Sequence, residues 1–170
     1  GSLLAAAAMF VFGAAFWMSP LPYGTLGRTA QGDAAAGAAL LQHFPATGTY
    51  ILPGVYNDEE ILNKLYQSGP IATIHFTREG RDVMSPKVFL FGYLHMLATV
   101  LLIAVLLRLA LPALASYGLR VGFVVAAGLA AAVFSQLGEP IWWHHPWPWH
   151  LWTALYIVGA WSAAGLVLAA

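Results

Sequence analysis

Three stretches of this chain, 87–111, 119–138 and 150–170, are long apolar runs almost without charge. A backbone in hydrocarbon has no water to bond, so each run must close its hydrogen bonds within itself as a helix. At about 1.5 Å per residue, roughly 20 residues cover the hydrocarbon core of a bilayer. Composition supports the same solvent. The chain is 60% hydrophobic and 8% charged, against about 25% charged in soluble domains. A chain of 170 residues cannot bury all of that apolar surface within itself, so lipid must cover much of it. The formal net charge is zero, which gives no ground for nucleic-acid binding. The absence of cysteine excludes disulfides, thiolate metal sites and cysteine nucleophiles.

A fourth apolar run, Leu3 to Met18, covers about 24 Å as a helix. Trp17 marks its interface, and Pro20 and Pro22 stop it. Gly1 is not an initiating Met, and residues preceding it are expected to complete the span. The run ends in WMSPLPYG rather than in a small-x-small cleavage site, so an anchoring helix is expected rather than a signal peptide. The expected fold is an α-helical integral membrane protein with four transmembrane helices. Residues 1–20 form the first, 21–86 form a small α+β extracytoplasmic segment, and 87–170 form a three-helix region with an outer Trp/His-rich loop at 139–150.

Between Leu21 and Lys87 lie five of the seven basic and six of the seven acidic residues, as befits a water-exposed segment. Asp33 is placed to cap an Ala-rich helix to about His43. Thr49 to Leu52 reads as a strand ended by Pro53-Gly54. Asn57 with Glu60 reads as a capping-box-like start of a helix through Gln67, with Ile61, Leu62, Leu65 and Tyr66 on one face. Gly69-Pro70 ends that helix. Ile71 to Thr77 reads as a second strand, and 78–81 as a turn. Ser85-Pro86 opens the second span, Pro112 closes it, and Glu139-Pro140 closes the third. Arg108 and Arg120 flank the short turn between spans two and three, while the loop after span three has no Lys or Arg. By the positive-inside rule that turn faces the cytoplasm, and 21–86 and 139–150 face outward.

The pattern MFVFGAAFWMSPLP, then PGVY, then GPIATIHFTREGRDVMSPKVFLFGYL, is similar to a group of small bacterial membrane proteins. The resemblance covers most of the chain. It implies the same order: a helix, a short extracytoplasmic segment and three more helices, in the bacterial inner membrane. It implies no activity and supplies no catalytic residues. The stretch WWHHPWPWH lies outside the pattern.

Chemistry concentrates in Gln136 to Trp152, which holds five of the seven tryptophans, three of the six histidines and Glu139. Trp is favoured at a bilayer surface, with its ring among headgroups and its N–H in water. Glu139, His144, His145 and His150 have the residue types of a zinc, copper or iron site. The same residues also suit an interfacial loop that meets water, which is the reading preferred. His95 is ionisable and lies inside the second span, so it is a candidate functional residue. With His150 it could ligate a haem or chlorin; as a structural residue it would bond Gln136 or Glu139. Ser135, Gln136 and Glu139 fall on one side of the third span, where with His95 they suit a proton relay or a quinone headgroup. Gly118 and Gly122 in the third span, with Gly128, and Gly159 in the fourth, suit close helix approach. No nucleophile elbow, phosphate loop or HExxH is present, and no internal repeat suggests a transporter. The expected role is an accessory or assembly subunit of a larger membrane complex, structural rather than catalytic. A cofactor-binding redox or pigment protein is the alternative, and a small transporter a third.

Overall fold

The computed structural model describes residues 1–27, 32–54 and 58–170. Helix α1 is Ser2–Met18. The cap follows, with α2 at Asp33–His43, β1 at Gly48–Leu52, α3 at Glu59–Ser68 and β2 at Ala72–Phe76. The remainder is helical: α4 at Pro86–Ala110, α5 at Tyr117–Ala132, α6 at Gly138–Trp142 and α7 at Trp147–Leu168. Three helical stretches are long and apolar enough to cross a membrane: Pro86–Ala113, Tyr117–Trp142 and Trp147–Leu168. They mark a multi-pass membrane protein. Helix α1 is apolar but shorter, at 17 residues.

The third long helix departs from expectation at its end. Glu139-Pro140 does not stop it. One wide turn with π geometry, Val133–Leu137, joins α5 to α6, and the helix runs on to Trp142. Pro140 then falls in the first turn after that break, where a missing N–H costs least. Helix α7 likewise starts at Trp147 rather than near His150. Pro148 is its second residue, a position whose N–H would have no helical partner in any case. The expected loop at 139–150 therefore shrinks to 143–146. His144 reverses the chain there with φ of 57°, a left-handed conformation few residues other than glycine adopt.

Two expected helix caps also move. Asn57 lies outside the described residues. Asp58 caps α3, and its carboxylate accepts from the N–H groups of Glu60 and Ile61 at 3.0 and 3.1 Å. Asp33 is the first residue of α2 rather than its cap, which is Gly32.

In the bundle α7 lies between α5 and α1, and α1 lies between α7 and α4. The buried core is drawn from Ala5, Ala6 and Met9 of α1, Val100, Ile103 and Leu107 of α4, Val124 of α5, and Ala160 and Ala164 of α7. Small residues let the backbones approach. A methyl group at Gly128 would lie 2.6 Å from Trp161 Cβ, and one at Gly159 would overlap the Phe12 ring. Gly165, opposite Val124, plays the same part. Gly118 and Gly122 do not, because both face open space. At the end remote from the cap, the Arg120 guanidinium donates to the carbonyls of Leu114 and Ala169, and Tyr117 Oη donates to Leu166 O. The bonds to Leu166 and Ala169 serve carbonyls at the end of α7 that lack helical partners, and the bond to Leu114 ties in the turn before α5.

Strands β1 and β2 pair antiparallel, with Thr49 opposite His75 and Ile51 opposite Thr73. Side chains alternate across a strand, so Thr49, Ile51, Thr73 and His75 share one face. Tyr50 and Phe76, on the other, pack against Phe44 at the end of α2, with ring centres 4.6 and 5.8 Å away. Arg78 ties the same corner by donating to the carbonyls of Leu41 and Phe44. Glu79 accepts from Thr47 Oγ1 at 2.8 Å, and this bond holds its carboxyl below the usual range. Helix α3 buries no residue, and its apolar side chains Ile61 and Tyr66 are exposed.

A candidate ligand chamber under the sheet

The polar face of the sheet lies over the ends of α6 and α7. Between them is an open cavity of about 660 Å³. Its roof is Ile71, Ala72, Thr73 and His75. Its floor and walls are Ser135, Gln136 and Glu139 from the third long helix, then His144, His145, Pro146, Trp149 and His150. A smaller side cavity of about 260 Å³ places Thr49, Thr73 and His75 against Glu139, Trp143 and His145.

The wide turn and the short 143–146 reversal set this geometry. They bring Glu139 back over the start of α7, so its Oε2 stands 3.4 Å from His145 Nδ1. The His145 and His150 rings lie 5.3 Å apart and within 20° of parallel. Two imidazole nitrogens, His145 Nε2 and His150 Nδ1, are buried with no hydrogen-bond partner among the described residues. Such groups are uncommon, because an unpaired buried polar atom costs on the order of 1–3 kcal/mol. Gln136 donates to its neighbour Ser135 Oγ at 3.3 Å. Above, His75 Nδ1 pairs with Thr49 Oγ1 at 3.0 Å.

Of the expected metal set, all four side chains line this one cavity, but they do not form a cage. Among the described residues, no group of three His, Asp or Glu side chains is arranged to hold a metal ion. Glu139 faces an imidazole and so orients it, while His144 is exposed. Of the set Ser135, Gln136, Glu139 and His95, the first three line the chamber and His95 does not. His95 opens instead on a groove over the start of α4 and on an apolar slot deeper in the bundle. Its ring makes no hydrogen bond to Gln136 or Glu139, which are engaged by Ser135 and His145. His95 and His150 thus face different cavities. The α4 groove is larger than the chamber, at about 950 Å³. Its Arg81, Lys87 and Asp82 are charges expected of a helix end at headgroup level.

His75, Thr73 and Thr49 were not singled out by sequence. The alternation of Thr73 and His75 in β2 places them on one face, but nothing local says that this face meets residues more than sixty positions later. Trp142, Trp143 and Trp147 are exposed, and Trp17 of α1 meets Trp149 and Tyr156 of α7 at 5.4 and 5.3 Å. Compared with protein-family models, curated proteins and solved structures, the chain matches none.

Proposed function

We propose that this chain is an accessory or assembly subunit of a larger bacterial membrane complex, structural rather than catalytic. It lies in the cytoplasmic membrane with α1 as a fourth span, and with the cap and the 143–146 turn on the outer face. The observation that carries the reading is α3. It is an amphipathic helix in the water-exposed cap, yet it leaves Ile61 and Tyr66 exposed and buries no residue. An apolar face in water seeks a partner. Asp58, Glu59 and Glu60 at its start disfavour an anionic lipid surface, which leaves protein as the better fit. Gly118 and Gly122, unused inside the chain, add a smooth face on α5 for a neighbouring helix.

A photo-crosslinking residue at Ile61 tests the reading in native membranes. It should join the chain to a different polypeptide, and Ile61→Asp should shift the chain to a smaller species on a native gel without lowering its abundance. Migration of the unaltered chain as a free 18.2 kDa species would refute the subunit reading.

Orientation is tested separately. Cysteines placed at Ser116 and His144 should differ in intact cells, with only position 144 reached by an impermeant thiol reagent. Equal labelling of both would overturn the four-span arrangement.

A further inference from the structure

We propose that the chamber under the sheet binds the headgroup of a lipid-soluble ring compound of the quinone or quinol class. The inference is independent of the subunit reading. It starts from the two buried, unpartnered nitrogens, His145 Nε2 and His150 Nδ1, which belong to side chains lining one cavity. Glu139 Oε2 faces the other nitrogen of His145, which fixes the ring and leaves Nε2 for a ligand. An imidazole held this way accepts from a hydroxyl when neutral and donates to a carbonyl when protonated. Quinones and quinols present those two kinds of oxygen. Trp149, also in the lining, offers an aromatic face for a ring.

Charge narrows the choice. Among the described residues no Lys or Arg lines the chamber, and Glu139 is its one carboxylate. A phosphate headgroup would meet a carboxylate and no permanent cation. A metal ion would meet no group of three ligands among the described residues. A neutral ring bearing oxygens suffers neither difficulty.

The space beneath gives the second argument. Ser135 stands one helical turn above Ala131, and His150 about two turns above Ile157. Ala131 and Ile157 line a mostly apolar slot of about 220 Å³ that His95, Thr99 and Tyr156 also border. A polar chamber therefore sits over an apolar slot along the same helices. Helix α4 meets α5 only along a short stretch, and its buried residues, Val100, Ile103 and Leu107, lie in its half remote from the cap. Nearer the cap α4 buries no residue, and that is where an apolar tail would leave the bundle. A polar head above an apolar tail is an amphiphile, and imidazole chemistry selects its headgroup.

The probe is decylubiquinone, added to the purified full chain in quinone-free detergent micelles, with tryptophan fluorescence as readout. Quenching should saturate at one quinone per chain. His145→Phe and His150→Phe should each weaken it about tenfold, as expected for the loss of one hydrogen bond to the ligand. Ser116→Ala, at the far end, should leave it unchanged. Circular dichroism checks that the variants keep their helix content, and His145→Gln serves if the Phe variants unfold. Quenching that only rises in proportion to quinone in the micelle would overturn the proposal. So would equal quenching in the chamber variants, or displacement of the quinone by short-chain phosphatidylcholine. Stoichiometric binding of zinc alone, lost in both His variants, would assign the chamber to a metal instead.

Discussion

Gly159→Val is expected to destabilise the bundle by prising α1 from α7. The added Cβ would overlap the Phe12 ring, which is partly buried and has aromatic neighbours. It stacks on Tyr156 at 6.2 Å and borders Phe16 at 6.0 Å, both packed in the same seam. Overpacking of this kind costs about 1–3 kcal/mol. The upper end applies here because backbone separation of α1 from α7 is the simplest relief. Gly122→Val is the matched control. Its side chain would meet nothing within 4 Å, so a change within about 0.5 kcal/mol is expected for the isolated chain. Unfolding in mixed micelles with increasing SDS reads both. Phe12→Ala, destabilising alone, should couple favourably to Gly159→Val by making room for the new side chain. Equal stability of the two Gly variants would show that the α1–α7 seam is not as close as described.

Gly69→Val should release the cap without releasing the bundle. Gly69 closes α3 by donating its N–H to Leu65 O at 2.9 Å, and it does so at φ 61° and ψ −178°. That backbone region belongs almost solely to glycine, and forcing another residue into it costs about 1–3 kcal/mol. Strain rather than crowding is the cause, since the nearest atom to an added Cβ is Ile71 N at 4.0 Å. The turn at Gly69 leads directly into β2, so the sheet and its His75 should loosen with it. Limited proteolysis should cut 59–76 faster in the variant, while SDS unfolding of the long helices stays as in the parent. Unchanged protease resistance would count against the assignment.

The long helices, the two strands and the break at Gly69 could be read from the sequence because each rests on local signals. Apolar runs, a Gly-Pro stop and a Ser-Pro start act within a turn of where they stand. The error at Glu139-Pro140 has a physical source. Proline normally ends a helix, but a single wide turn before it lets the helix continue, and no side chain announces that turn. The same holds for Pro148, harmless at the start of α7 and misread as loop. The glycines divide for another reason. Gly118 and Gly122 have the expected spacing, yet spacing cannot say which face meets a neighbour, and in the folded chain Gly128 and Gly159 take that part. The chamber was half legible. Glu139, His145 and His150 are close in sequence, whereas His75 reaches them only through the sheet.

Helix α7 lies between α1 and α5 but is synthesised after both. Until it enters the bilayer, α1 has only α4 beside it, and the seam that receives Phe12 and Trp17 does not yet exist. The short α1 must therefore wait for its main partner through the whole interval in which the cap, α4 and α5 are made. Closure of the bundle is thus a late event in biogenesis, and the time between synthesis of α1 and arrival of α7 is when a membrane-bound chaperone or protease would find this chain most open.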